Sequence, residues 1–189
     1  MKNLKTIAIA ALVVLSTTLT TAQNKKIDVK KSSIAWVGKK VTGQHNGTIN
    51  FSSGTLVFKG KTLKGGEFVV DMNSINTTDL QAGKGKEKLD GHLKADDFFG
   101  VEKYPTAKLK ITNLSGKGNG LYKVTADLTI KEVTAPVTFD LTVKGNAATA
   151  AFNVDRTKYD IKYKSKNFFE NLGDNVISDE FELSVNLVF

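Results

Sequence analysis

LYKVTADLTI, Leu121 to Ile130, places Tyr122, Val124, Ala126, Leu128 and Ile130 on one face of an extended chain. Lys123, Thr125, Asp127 and Thr129 fall on the other. Side chains alternate across a strand, so this period of two marks a strand with one apolar and one polar face. Reading outward, PVTFDLTVK repeats the device with Val137, Phe139, Leu141 and Val143, and FELSVNLVF with Phe181, Leu183, Val185, Leu187 and Phe189. TAKLKIT adds Ala107, Leu109 and Ile111, and further strands are predicted at 32–39, 48–51, 55–59, 67–72 and 147–155. Breaks at SSG, KGG, SGKGNG and KGN separate most of them. The expectation is all-β: a single antiparallel sheet of eight or so strands closed into a barrel, because closure buries the apolar face and removes the edges.

Two segments interrupt the strands. The first, about 73–104, holds KEKLDGHLK, where Leu89 and Leu93 stand four apart as on a short helix, followed by ADDFFGVEKYP. The second, about 157–178, carries Phe168-Phe169. Segments this long inside a compact domain usually serve as lids or binding elements. Leu89, Leu93, Phe98 and Phe99 are expected to turn inward as a lid, with the charges outward.

The N-terminus reads differently. Lys2 and Lys5 precede the apolar run Thr6–Leu15 and the small-residue tail STTLTTAQ, the pattern of a secretory signal peptide. Residues 1–22 are assigned to the signal, with cleavage after Ala22, and 23–189 to one barrel domain. A periplasmic or secreted location follows. Removing the two signal lysines takes the formal charge from +8 to +6. The absence of cysteine excludes disulfides, thiol catalysis and cysteine-bound metal. The positive charge is nearly all lysine, spread along polar strand faces, with no arginine cluster or stacking platform, which speaks against nucleic acid.

Residues that could carry chemistry are few. His45, in GQHNG, is expected in a hairpin turn, and it and His92 lack the repeated ligand spacing of a metal site. Asp96 and Asp97 are adjacent and point different ways in extended or turn geometry, so a general acid–base pair is disfavoured. An enzyme with His92, Asp96 and Asp97 at a cavity mouth stays open as an alternative, as does a small outer-membrane barrel, since the chain ends in an alternating strand closed by Phe189. Arg156 is the only arginine; it reads as a structural bridge or as a contact to a ligand's polar head. The apolar side chains offer a filled core or a ligand cavity, and periodicity cannot separate the two.

Taken together, SSIAWVGKKVTGQHNGTI, GGEFVVDMNSINTTD, KLDGHLKADDFFGVEKYPTAKLKIT, YKVTADLTIKEVTAPVTFDLTV and FNVDRTKYDIKY resemble the YceI-like family of exported bacterial proteins, over nearly the whole mature length. Glu132 departs from the pattern, in a turn where the family often has glycine. The resemblance implies a lipocalin-like barrel that binds, carries or sequesters a long-chain isoprenoid, prenyl quinone or similar alkyl lipid without catalysis. It implies no cofactor and no stable membrane insertion, and leaves homodimer formation open. The ligand-lining set expected from the apolar faces and the lid is Trp36, Phe51, Phe68, Leu93, Phe98, Phe99, Leu128, Phe139, Phe152, Arg156, Phe168 and Phe169.

Overall fold

The computed structural model describes residues 21–189. The expected signal segment lies outside the described residues up to residue 20, and its cut site falls at the first residue of β1. The strands are β1 (Ala22–Lys26), β2 (Ser33–Lys40), β3 (Gly43–Lys59), β4 (Thr62–Thr77), β5 (Thr106–Gly118), β6 (Leu121–Ile130), β7 (Val133–Lys144), β8 (Ala147–Asp155) and β9 (Ile177–Val188). One helix, α1 (Lys86–Lys94), joins β4 to β5. All ladders are antiparallel, in the order β3-β2-β9-β8-β7-β6-β5-β4, and β4 pairs back to β3. Eight strands therefore close a barrel, and β1 adds to the outer half of β3 beyond the end of β2.

Residues of the apolar phase fill the interior: Val124 and Ala126 are wholly buried, and Leu128, Phe139, Leu141 and Leu187 nearly so. Lys123, Thr125 and Asp127 stand opposite Asp140, Thr138 and Pro136 on the outer face. That registry is what the alternation of LYKVTADLTI demands.

Three expected breaks turn out differently. SSG is no turn: β3 runs through it with a register shift between Phe51 and Ser53. Gly54 is needed there because a Cβ would lie 2.6 Å from the Phe68 ring and 2.8 Å from Ile27. β4 runs on to Thr77, and the Gly65-Gly66 pair lies within it. His45 sits in β3 and not in a turn; the β2–β3 turn is Val41-Thr42. Its neighbour Gly47 pairs with Trp36, whose ring would meet a Cβ at 2.4 Å, so glycine lets the indole lie across β3. At the β6–β7 turn Lys131 (φ 51°) and Glu132 (φ 66°) both take left-handed backbone without glycine's freedom.

One end of the barrel carries the β3–β4, β5–β6 and β7–β8 turns; this is the floor. The other carries α1, segments 95–105 and 156–176 and the β2–β3 and β6–β7 turns; this is the lid end.

Candidate functional site: an apolar cavity in the barrel

Inward side chains from all eight barrel strands line a cavity of about 90 Å³. Its wall includes Phe51 on β3, Phe68 and Val70 on β4, Leu109 and Ile111 on β5, Leu128 on β6, Phe139 and Leu141 on β7, Phe152 on β8, and Leu183 and Val185 on β9. Apart from Lys108 every lining residue is apolar. Phe139 and Phe152 stack with centroids 4.4 Å apart and planes 14° apart, and Phe51 leans on Phe68 at 6.1 Å. One water-sized group needs roughly 10–15 Å³, so the space admits a narrow file of such groups. With no polar partner to offer a water, it suits hydrocarbon.

Each end is closed. Toward the floor Leu56, Leu63, Val124 and Ala148 are buried to 1% exposure or less. Tyr122 Oη accepts a bond from the Leu63 amide at 3.2 Å. At the lid end the buried Phe98 packs its ring near His92 (4.8 Å) and Tyr163 (5.5 Å), and Phe99 meets Phe181 edge-on at 6.2 Å. Phe98 turns in because the chain after α1 coils back on itself, with Phe98 N donating to Ala95 O and Phe99 N to Leu93 O. Lys86 and Asp90 clip the helix to β4: Asp90 accepts from Thr77 N at 2.7 Å and from Lys86 Nζ at 2.9 Å.

Arg156, 3% exposed, donates Nε to Ser178 O (2.9 Å), Nη1 to Ile161 O (2.8 Å) and Nη2 to Ile177 O (3.1 Å), with Asp179 at 3.4 Å. These are backbone acceptors at the two roots of the 156–176 segment, a use of the planar fork that lysine could not match. Burial draws its pKa down, against the raising effect of Asp179 and Asp155. Tyr159 is buried with its hydroxyl unpartnered, and burial together with the Asp155 charge pushes its pKa up to about 12.

Of the twelve residues expected to line the site, Phe51, Phe68, Leu128, Phe139 and Phe152 line the cavity. Trp36 lies across Gly47, its indole N–H donating to Thr48 O at 3.3 Å. Leu93, Phe98 and Phe99 pack into the core beneath the lid. Arg156 spends its donors on the protein. Phe168 and Phe169 are outside the barrel, 51% and 49% exposed. The aliphatic wall residues Ile34, Val70, Leu183 and Val185 escaped the sequence reading, which favoured aromatics; the same period of two carried them.

His92 Nε2 lies 2.9 Å from Asp97 Oδ2 at the surface, and Asp96 pairs with Lys103. The hydrogen bond and charge of Lys103 hold the Asp96 carboxyl below the usual carboxylate range. None of the three lines the cavity. His45 Nδ1 lies 2.8 Å from Asp79, and among the described residues no three His, Cys, Asp or Glu side chains converge on a metal-sized centre.

The YceI-like domain family matches residues 26–189. The chain belongs to the YceI-like family. A UPF0312 protein of Yersinia pestis is 30% identical over 146 residues, 75% of this chain and 71% of that protein. A UPF0312 protein of Shewanella denitrificans is 34% identical over 92 residues, and the match spans about half of each, 49% of this chain and 46% of that protein. Among solved structures, Burkholderia cenocepacia BcnA superposes with TM-score 0.68 at 20% identity, over 86% of this chain and 99% of that one. A polyisoprenoid binding domain from Saccharophagus degradans gives TM-score 0.57 at 18% identity, over 86% and 95%. At these identities the structural likenesses show the shared barrel fold.

Proposed function

We propose that this YceI-like protein binds and carries a long-chain isoprenoid or similar amphipathic alkyl lipid inside its barrel, outside the cytoplasm, without catalysing a reaction on it. The observation that carries this reading is the apolar cavity between Phe51, Phe68, Phe139 and Phe152, which offers a ligand contact with hydrocarbon. Burying chain methylenes there gains about 0.8 kcal/mol each, reduced by the cost of ordering the chain. The description of the Saccharophagus domain as polyisoprenoid binding supports the same class of cargo, and the basic, apolar, small-residue order of residues 1–22 supports export.

The two alternatives draw less support. The His92–Asp97 pair and Asp96 face water, so no acid–base pair looks into the cavity. A membrane barrel presents an apolar exterior, whereas exposed Lys123, Asp127, Thr134, Thr138 and Asp140 form much of this outer surface.

Titration with retinol, a twenty-carbon isoprenoid alcohol that fluoresces when shielded from water, tests the reading. Saturable binding at one molecule per barrel, competed by other isoprenoids, is expected. Fluorescence that rises without saturation, or no rise at all, would sink it.

A further inference from the structure

The ladders that close the barrel are unequal. β6 and β7 pair without interruption from Leu121 with Thr142 to Ile130 with Val133, and β8 and β9 from Ala147 with Val188 to Asp155 with Glu180. Between them β7 and β8 pair only from Leu141 with Ala150 to Lys144 with Ala147. Toward the lid end, residues 134–140 and 151–155 face each other with no rung between them, although each run is paired on its other side.

Sequence and packing both show this seam to be built in. Pro136 sits in the middle of the open stretch, and the register with β6 runs unbroken through its pairing with Asp127. Its nitrogen, which carries no hydrogen, is therefore turned away from β6 and toward β8, where it denies the ladder a donor. Beyond the last rung the gap is spanned by Phe139 and Phe152 stacked face to face, and both rings line the cavity. The other short ladder, β4–β5, covers Glu67–Asp71 with Thr106–Lys110. Beside its floor end the Tyr122 hydroxyl on β6 reaches the Leu63 amide on β4. Among the described residues no hydrogen bond spans the open part of the β7–β8 seam.

We propose that the β7–β8 seam is the portal through which a slender apolar chain passes into the barrel, with the Phe139–Phe152 stack as its shutter. This rests on the lipid-binding reading above. The floor is sealed by fully buried side chains, and the lid end is held by the Arg156 bonds and the Phe98 cluster, so passage at either end must dismantle packed structure. Parting the seam breaks no rung between β7 and β8; the two stacked rings must rotate, and the helical turn Arg156–Tyr159, which packs on β7, must shift with β8. The parting also widens a cavity too narrow, as it stands, for twenty carbons. The margins of the seam carry Thr134, Thr138 and Asp140 on β7 and Ala151 and Asn153 on β8, all exposed and none basic. A neutral head group such as an alcohol or amide fits that mouth better than a phosphate.

The chain has no cysteine, so a staple can be placed cleanly. In Thr138→Cys/Asn153→Cys, a short thiol-reactive crosslinker would tie the seam. Lys123→Cys/Asp140→Cys, directly opposed on the intact β6–β7 ladder, is the control. Stopped-flow retinol uptake should slow at least tenfold in the crosslinked seam variant, return when a cleavable crosslinker is cut, and stay unchanged in the control. Equal rates in tied and untied seam variants would overturn the portal. Failure of retinol to bind the unmodified protein would instead overturn the binding reading. Should the seam variant not fold, Phe152→Ala decides: retinol release at least fivefold faster supports a shutter, and an unchanged rate removes it.

Discussion

Two Phe-Phe pairs in this chain meet opposite fates. Phe98 is buried and Phe99 partly so, within a cluster that includes His92, Tyr163 and Phe181, whereas Phe168 and Phe169 stand half exposed. Both pairs lie in long inter-strand segments at the same end of the barrel. What separates them is local backbone: after α1 the amides of Phe98, Phe99 and Gly100 bond back to Ala95, Leu93 and Ala95, folding the rings under the helix. Gly100, at φ 54°, supplies the left-handed residue that tight return needs. The Phe168 and Phe169 amides both reach the buried Ser165 carbonyl, and that turn holds the rings outside. Identical dipeptides thus serve as core in one case and as surface in the other.

The sharpest way to break this contrast is truncation. Phe98→Ala should cost about 3–5 kcal/mol of stability, as for a phenylalanine removed from a packed core, while Phe168→Ala should stay within about 0.5 kcal/mol. Urea unfolding of the two variants measures both; similar losses would erase the distinction.

Arg156 touches both sides of it. Its guanidinium lies 6.0 Å from the Phe98 ring and binds the roots of the segment that carries Phe168. Arg156→Met leaves Ile161, Ile177 and Ser178 carbonyls without their donor and should cost about 3 kcal/mol. Because the segment is loosened at its roots, proteolysis near Phe168 should also speed up. A variant as stable and protease-resistant as the parent would show that the two pairs are held independently.

A smaller effect is expected at the clip that seats α1. Burial raises the Asp90 pKa, but bonds from Thr77 and Lys86 outweigh it and leave the carboxyl below its ordinary value. A depressed folded pKa contributes stability above the unfolded value, near 3.9, which is lost as pH falls through the folded value. Asp90→Asn should therefore cost about 1 kcal/mol at neutral pH and flatten the loss of stability below about pH 4. An unchanged acid limb in thermal melts would remove Asp90 from the account. Smallest of all, Phe168→Ser/Phe169→Ser should leave retinol affinity within about twofold, an effect below about 0.4 kcal/mol. A larger loss would bring the exposed pair into the site.

Much of this fold was legible because a period of two specifies which side chains enter the barrel, and eight such strands have few ways to hide one apolar face. The KEKLDGHLK helix was legible from Leu89 and Leu93. Less visible were interruptions that depend on tertiary neighbours: Ser52-Ser53-Gly54 looks like a turn until Phe68 and Ile27 are seen crowding Gly54. Arg156 advertised its importance by being alone, but its partners are backbone carbonyls, which leave no mark in sequence. The cavity wall was half readable: alternation placed Phe139 and Val185 inward alike, yet which inward residues border open space depends on how far opposite walls stand apart.

The central claim is that the barrel interior holds one apolar chain. Native mass spectrometry of the protein purified from its native host without detergent tests it most directly. The account predicts a population carrying a single lipid-sized adduct that organic extraction releases, and that Phe139→Asp purifies without. Bare polypeptide alone, with no retinol-loaded species after incubation, would contradict it.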